Sequence, residues 1–219
     1  MKKCLLLKPG LVEYGRAWDL QKRLFDERVN NRMPDTLIVL QHPPTYTFGR
    51  RSNEYQPAFN KHYNNDIALY RVDRGGGPTY HGPGQLVAYP ILGLRSYTPD
   101  YYNYLRMLED VTILTLGGYN IRAERVRNYT GVWVDGKKIS SIGVRIIKGI
   151  TMHGLSLNVN NDLSPFDWIV PCNIAGVVMT SMSEILNNTL SMQKVETDLV
   201  NNFAKVFDLD ICNDVQYTS

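Results

Sequence analysis

A glycine-rich segment between two apolar stretches constrains the fold of this chain more than any other feature. Residues 74–85 read Arg-Gly-Gly-Gly-Pro-Thr-Tyr-His-Gly-Pro-Gly-Gln, and the runs 68–72 and 85–92 on either side have the composition of β-strands. An ordinary turn needs one or two glycines, whereas five indicate a backbone that takes positive φ values or approaches another group closely. A loop of this kind between two strands is suited to hold a ligand against its main chain, with Arg74 and His81 among the polar contacts.

The rest of the chain mixes helical and strand-like apolar patterns. Strands are predicted at 3–7, 36–40 and 150–159, and helices at 14–29, 101–115 and 196–207. The segment 131–139 carries Asp-Gly between apolar stretches, which is typical of a hairpin with a type I′ turn and sets Trp133 opposite Lys138. Hairpins between helices predict an α+β fold with a mixed β-sheet and flanking helices.

The composition indicates an ordinary globular protein. The 219 residues fit one domain, 1–219, and 43% of them are hydrophobic and 21% charged. No apolar run reaches the roughly 18 residues of a membrane span, and four apolar residues after the N-terminal lysines are too few for a signal peptide. We therefore expect a cytoplasmic protein with no membrane partner. The net charge of +3 is mild and no nucleic-acid-binding motif is present, so no nucleic-acid partner is expected.

Cysteine and histidine are too sparse for a metal site. The three cysteines do not form a disulfide framework, which fits a reducing compartment. No pair of cysteines has CxxC spacing and the four histidines are scattered, so no structural metal is predicted.

Cys172 is a candidate nucleophile. It follows Ile-Val-Pro, and the proline restricts Val170 to extended conformations, so the thiol could be presented rigidly at a cleft. A lone cysteine is more often a small buried apolar residue, and the local sequence leaves both interpretations open.

Lys138 is a candidate functional residue, although a lysine beside a hairpin is usually solvated. The strand that follows it has unusually small residues at Ser140, Ser141 and Gly143. They leave room for a chain-like ligand or for close approach of the backbone. Strict alternation along a strand places Lys138 on one face and Ser141 with Gly143 on the other.

Three other polar residues have a functional and a structural interpretation. Arg74 could bind a carboxylate or phosphate, or could make a contact within the fold to an acidic side chain. His81 could donate to a carbonyl, relay a proton or brace the loop. His153, next to Gly154 in an alternating apolar strand, is either a strand residue or helps to shape a site.

Taken in chain order, several blocks resemble the lipoyl(octanoyl) transferases of the lipoate–protein ligase B family. The blocks that carry this resemblance are 74–76, 80–86, 89–90, 130–134, 138–145, 153–159, 162–163, Phe166 and 169–172. The resemblance covers about residues 5–185 and implies the α+β catalytic domain that biotin and lipoate ligases share. It also implies specific roles: the family's cysteine carries an acyl thioester, and its lysine lowers the pKa of that cysteine or acts as the base. These two residues correspond to Cys172 and Lys138.

The resemblance further implies a reaction and its partners. An octanoyl group moves from octanoyl-acyl carrier protein to a lysine of a lipoyl domain, in a 2-oxoacid dehydrogenase or the glycine cleavage H protein, as the first step of endogenous protein lipoylation. A thioester becomes an amide, so the transfer is downhill and needs no ATP, cofactor or metal. We expect the substrate to contact Arg74, Gly75, Gly76, Gly77, Pro78, Thr79, Tyr80, His81, Ser141, Ile142, Gly143, Gly154, Leu155 and Ser156.

Both partners are typically acidic in that family's pathway, so exposed arginines are candidates for docking them. These arginines are Arg50, Arg51, Arg125 and Arg127. The charge state of Lys138 stays open, because either an ammonium or a desolvated neutral amine would raise the thiolate fraction of Cys172.

Two departures from the family pattern keep alternatives open. Asn173 stands where the family usually has glycine, and Gly77-Pro78 replaces a polar or bulkier residue and a β-branched one. The Gly-Gly-Gly run is reminiscent of the related ATP-dependent lipoate ligases, so such a ligase is one alternative. A non-catalytic module that binds lipoyl domains or acyl chains is another. A transferase that takes its acyl group from a second lipoyl domain would look similar in sequence.

Overall fold

The computed structural model describes residues 2–52 and 67–213. Its strands are β1 (Lys2–Leu11), β2 (Asp35–Gln41), β3 (Thr45–Phe48), β4 (Ala68–Arg71), β5 (Pro78–His81), β6 (Gln85–Ile91), β7 (Val132–Val134), β8 (Lys137–Ile147), β9 (Ile150–Asn158) and β10 (Leu209–Asn213). Its α-helices are α1 (Tyr14–Val29), α2 (Tyr101–Gly117), α3 (Met182–Leu186) and α4 (Met192–Phe207). Short 3₁₀ helices occur at Leu94–Ser96, Ser164–Trp168 and Pro171–Asn173.

The described strands form two sheets. The larger has the order β10-β1-β2-β6-β9-β8-β7, and the smaller has the order β4-β3-β5. In the larger sheet β1 runs parallel to β10 and β2, while the strands from β2 to β7 are antiparallel. The sheet is mixed and helices flank it, so the predicted α+β fold is confirmed.

The larger sheet is covered on both faces, and strand β2 shows why. Its residues alternate between two apolar clusters because successive side chains of a strand point to opposite faces. Leu37 and Val39 belong to the cluster that includes α2 and α4, whereas Ile38 and Leu40 pack on the α1 side. The resulting three layers place the start of α2 next to β8 and β9.

Side-chain caps define where two helices begin. The Asp100 carboxylate accepts a hydrogen bond from the backbone N–H of Tyr102 at the start of α2, at 2.8 Å. The Ser191 hydroxyl accepts from the N–H of Lys194 at 3.3 Å, so α4 starts at Met192 and not at the predicted residue 196. The predicted bounds of α1, 14–29, are confirmed.

The β7–β8 hairpin is confirmed, but its side chains do not alternate regularly between the two faces of the sheet. Asp135 and Gly136 both take positive φ, 48° and 77°, as a type I′ turn requires. Trp133 pairs with Lys138, yet the preceding residue of β7 pairs with Ser140, which leaves Ile139 as an extra residue in β8. A bulge of this kind shifts the alternation of a strand by one residue. The prediction that the side chains of Lys138 and Ser141 lie on opposite faces of β8 is therefore wrong, because both contact Cys172.

The glycine-rich segment is not one continuous loop. Its middle, Pro78–His81, forms strand β5, which pairs with β3 and was not predicted. Glycines lie on either side of β5, and those that follow it connect the smaller sheet to β6, an inner strand of the larger sheet. Among the helices of residues 2–52 and 67–213, none combines the length and the apolar character that a membrane crossing requires.

Candidate active site

A cavity of about 400 Å³ lies where the glycine-rich segment faces β8, β9, the start of α2 and the Cys172 turn. Most of the residues predicted from the sequence line it together. They are Arg74, Gly75, Gly76, Thr79, His81, Ser141, Ile142, Gly143, Gly154, Leu155, Ser156 and Cys172.

Three predicted contact residues do not line the cavity. Alternation along β5 turns Thr79 and His81 towards it and Pro78 and Tyr80 away from it. The Tyr80 ring packs at 5.7 Å from Phe166 in the apolar cluster of the smaller sheet. Gly77 lies against Asn173 instead, because a Cβ atom on it would stand 2.6 Å from the Asn173 Oδ1 atom.

Cys172 sits in a strained turn that presents its thiol. Its φ of 56° and that of Asn173, 58°, are in the left-handed region, which costs energy for a residue other than glycine. Two hydrogen bonds hold the turn: the N–H of Asn173 donates to the Val170 carbonyl, and the N–H of Ile174 donates to the Pro171 carbonyl, each at 3.0 Å. The extended conformation predicted for Val170 is confirmed, with φ of −97° and ψ of 93°.

The Cys172 thiol faces a buried cation. Lys138 is fully buried, and its Nζ atom lies 3.2 Å from the Cys172 Sγ atom. The Ser141 Oγ atom lies 3.8 Å from the same sulfur. Burial alone would raise the pKa of the Cys172 thiol. The charge and hydrogen bond of Lys138, the charge of Arg74 and the Ser141 hydroxyl outweigh it, so the pKa lies below its ordinary value.

Apart from the Cys172 sulfur, the terminal amino group of Lys138 has neutral partners. It donates to the Thr130 carbonyl at 3.2 Å and lies 4.9 Å from the centre of the Trp133 ring. No carboxylate of the described part of the chain lies within 4 Å of it. A positive charge on Lys138 would therefore act on the sulfur without being cancelled by an adjacent acid.

The buried Arg74 side chain stabilises the start of the glycine-rich segment through hydrogen bonds. Its guanidinium donates to the carbonyls of Gly75 and Gly77, at 3.0 and 2.9 Å, and to the carbonyl and hydroxyl of Thr47, both at 2.8 Å. Its partners are carbonyls and a hydroxyl, not the acidic side chain that the structural interpretation expected. Because Arg74 also borders the cavity, its charge acts on Cys172.

Two of the predicted histidines border the cavity as neutral rings. His81 Nδ1 bonds to the Gln85 side chain at 2.7 Å, and burial holds the pKa of His81 well below its usual value. His153 Nε2 lies 2.6 Å from Asp73 Oδ1, and burial followed by the charge of Arg74 holds the pKa of His153 at about 3. His42, the other histidine of the described residues, does not line the cavity, and His62 lies outside the described residues. Within the described ranges no group of three or more His, Cys, Asp or Glu residues could hold a metal ion.

Several cavity residues were missed because their positions are fixed by distant pairings. They are Tyr14, Arg51, Val87, Tyr89, Tyr101, Tyr102, Leu105, Asn128, Tyr129, Thr130, Val144, Asn173 and Ile174. His153, for which a role in shaping a site is one of two interpretations, also lines the cavity. The exposed rings of Tyr102 and Tyr129 stand at the rim of the cavity.

Among the arginines predicted to dock acidic partners, Arg125 is engaged in ion pairs with Glu109 and Asp110.

Comparison with known proteins identifies the family. Residues 13–204 match the family described as the lipoyl protein ligase A/B catalytic domain. An octanoyltransferase of Gloeobacter violaceus is 44% identical over 211 residues, which are 94% of this chain and 91% of that protein. An octanoyltransferase of Rubrobacter xylanophilus is 44% identical over 202 residues, 90% of each chain.

Solved structures with a similar fold are more distant in sequence. A lipoate-protein ligase A bound with ATP superposes with a TM-score of 0.74 at 18% identity, over 98% of this chain and 89% of that one. The biotin protein ligase of Aquifex aeolicus in complex with biotin and ATP superposes with a TM-score of 0.55 at 15% identity. The superposition covers 95% of this chain and 71% of that one. The predicted likeness to biotin and lipoate ligase catalytic domains is confirmed.

Proposed function

The chain belongs to the lipoyl protein ligase A/B catalytic domain family and is an octanoyltransferase of protein lipoylation, and we propose that it carries the octanoyl group on Cys172. The observation that supports this most strongly is the 3.2 Å distance from Lys138 Nζ to Cys172 Sγ beside a cavity that suits an acyl chain. A thiolate is the nucleophilic form of cysteine, and a buried cation next to the sulfur increases its fraction at neutral pH.

The first half-reaction forms the acyl-enzyme. The Cys172 thiolate attacks the carbonyl carbon of the donor thioester, and the carbon–sulfur bond to the donor breaks. The Lys138 ammonium gives its proton to the departing thiolate, so the products are octanoyl-Cys172, a neutral Lys138 amine and the free thiol of the donor.

The second half-reaction restores the starting pair. The amine of the acceptor lysine attacks the carbonyl carbon of octanoyl-Cys172, and the neutral Lys138 takes the proton that this amine loses. The new bond is an amide, and Cys172 leaves as a thiolate beside the regenerated ammonium. Lys138 thus serves as the acid in one step and the base in the other.

The oxyanion formed in each step needs hydrogen-bond donors. Backbone hydrogen bonds that already exist in the protein limit which N–H groups are available. The N–H groups of Asn173, Ile174 and Gly75 already donate to carbonyls of the protein. Those of Gly76 and Cys172 make no hydrogen bond within the described residues, and both residues border the cavity. We assign these two N–H groups to the oxyanion.

Close backbone packing supports a narrow acyl site. A Cβ atom on Gly154 would lie 2.1 Å from the Ala88 carbonyl oxygen, and one on Gly143 would lie 2.9 Å from that of Gly75. Both glycines therefore keep neighbouring segments in contact around the cavity. Apolar side chains, among them Leu105, Ile142 and Leu155, give the cavity a surface that suits a hydrocarbon chain.

The partners follow from the activity. We propose octanoyl-acyl carrier protein as the donor, and as acceptors the lipoyl domains of 2-oxoacid dehydrogenases or the glycine cleavage H protein. Residues 1–219 would form the single catalytic domain. The bacterial relatives and the free state of the cysteines support a cytoplasmic location.

An assay without ATP separates this proposal from an ATP-dependent ligase. The purified chain should octanoylate a lipoyl domain from octanoyl-carrier protein alone, and Cys172→Ser should lower the rate at least 100-fold. Product formation only from free octanoate with ATP would assign the chain to the ligases. Transfer by the Cys172→Ser variant at a near wild-type rate would exclude the acyl-enzyme scheme.

A further inference from the structure

Glu109 is a buried carboxylate on α2 that the proposed chemistry does not use. It is fully buried, and its Oε2 atom accepts hydrogen bonds from Arg106 at 2.6 Å and Arg125 at 2.8 Å. A buried charge is costly unless it is paired, and the two arginines provide that pairing. The other oxygen, Oε1, makes a different contact: it accepts from the backbone N–H of Gly131 at 3.0 Å.

The peptide bond between Thr130 and Gly131 joins Glu109 to Lys138. Its N–H donates to Glu109, and its C=O accepts from Lys138 Nζ at 3.2 Å. The N–H and C=O of a trans peptide point in opposite directions in one plane, so this peptide lies between the carboxylate and the ammonium. Hydrogen bonds in such a chain polarise one another.

Gly131 allows this peptide to come close to the lysine. Its φ is 125°, a conformation that side chains rarely permit. A Cβ atom there would stand 2.8 Å from Lys138 Cε and 2.5 Å from the Ser140 carbonyl oxygen. The bare Cα of Gly131 therefore packs on the lysine stem, and the position of the peptide determines the position of the ammonium.

We propose that Glu109 is a positioning residue for the Cys172–Lys138 pair, acting through the 130–131 peptide. The proposal rests on the proposed function for its catalytic meaning. An orienting third group behind the base is a general feature of activated nucleophiles, and here a backbone peptide stands between that group and the base.

The test is the pH dependence of Cys172 alkylation by iodoacetamide, measured on the full chain by mass spectrometry. Glu109→Met removes the acceptor of the Gly131 N–H, so the ammonium loses its fixed position. We expect the alkylation profile to move to higher pH and the rate at pH 7 to fall about tenfold. In the transfer assay kcat should fall while KM for the carrier protein stays unchanged.

Asp110→Asn is the matched control. Asp110 is the next residue on the helix and pairs with the same Arg125, but it does not contact the peptide. This variant should alkylate as the wild type does, and the thermal midpoint of each variant shows whether a change in rate merely follows a loss of stability.

Glu109→Gln provides a second variant if Glu109→Met does not fold. Glutamine has one acceptor oxygen for three donors, so it should give an intermediate profile. A wild-type alkylation profile in a folded Glu109→Met, or in Glu109→Gln if only that variant folds, would overturn the proposal. Alkylation needs no acyl donor, so this result is independent of whether the acyl-enzyme forms.

Discussion

The Nζ atom of Lys138 lies 3.2 Å from the Sγ atom of Cys172, although 34 residues separate them in the chain. Two irregular features create this contact. The bulge at Ile139 turns the start of β8, and the 3₁₀ turn after Pro171 takes positive φ values at Cys172 and Asn173. The positive φ values cost backbone energy, and both strained residues and bulges are frequent at active sites.

Replacing Lys138 by methionine should suppress the reactivity of Cys172. Burial raises the pKa of the Cys172 thiol, and without Lys138 only Arg74 and Ser141 would lower it. The pKa of the thiol should therefore rise, and the alkylation rate at pH 7 should fall at least tenfold. Lys137→Met is the control, because Lys137 is exposed and pairs with Glu184. Equal alkylation rates at pH 7 in the wild type and Lys138→Met would contradict the assigned role.

The same Lys138→Met variant should not lose stability. A fully buried ammonium without a carboxylate within 4 Å in the described part of the chain is costly to fold, and a similar apolar side chain removes that cost. Thermal unfolding should show an unchanged or higher midpoint. A midpoint several degrees lower would mean that Lys138 stabilises the fold.

Stability should decrease between pH 7.5 and pH 5 because burial lowers the pKa values of His81, His153 and His42, and the contribution of His42 can be isolated. This ring is buried, bonds to the Val12 carbonyl and the Tyr89 hydroxyl, and burial lowers its pKa to about 4. The unfolded chain binds a proton near pH 6.5 and the folded chain does not, so stability falls as the pH drops through that window. The loss at pH 5 is about 2 kcal/mol from this group.

Urea unfolding at the two pH values measures this loss. Carboxylates titrate mainly below pH 5, so the interval isolates histidine. In His42→Gln the pH dependence should become weaker. An equal free energy of unfolding at both pH values in the wild type would contradict the lowered pKa values of all three buried histidines, and an unchanged pH dependence in His42→Gln would contradict that of His42.

Gly77 and Asn173 should behave as a coupled pair. Gly77→Ala places a Cβ atom 2.6 Å from Asn173 Oδ1 and 2.9 Å from Asn173 N, so the Cys172 turn must shift. Asn173→Gly removes the carboxamide and retains the ability to take positive φ. The double variant should therefore be less impaired than the sum of the single variants, by about 1 kcal/mol in unfolding free energy. Additive effects would exclude the contact.

Local patterns predicted the regular elements well. Helix α1 follows a 3.6-residue apolar period and Asp135-Gly136 favours a type I′ turn, so both could be read from neighbouring residues. Strand β5 was missed because glycines and a proline dominate its surroundings, and within the described residues β3 is the strand with which it pairs. The early start of α4 depends on a cap at Ser191 that the apolar period does not show.

The site was predictable only in part, for a similar reason. Local sequence left Cys172 and Lys138 each with two interpretations, and the family resemblance favoured the functional ones. The role proposed for Glu109 depends on one peptide bond that is adjacent in space and distant in sequence, so no spacing rule reveals it. The bulge at Ile139 likewise depends on pairing between strands.

The most direct test of the account is the intact mass of the protein after mixing with octanoyl-carrier protein, without ATP and without an acceptor. The account predicts a mass increase of one octanoyl group on the wild type and on Cys212→Ser, and none on Cys172→Ala. The adduct should disappear when a lipoyl domain is added. An unmodified wild-type protein that nevertheless transfers the octanoyl group, or an adduct that persists in Cys172→Ala, would contradict an acyl-enzyme on Cys172.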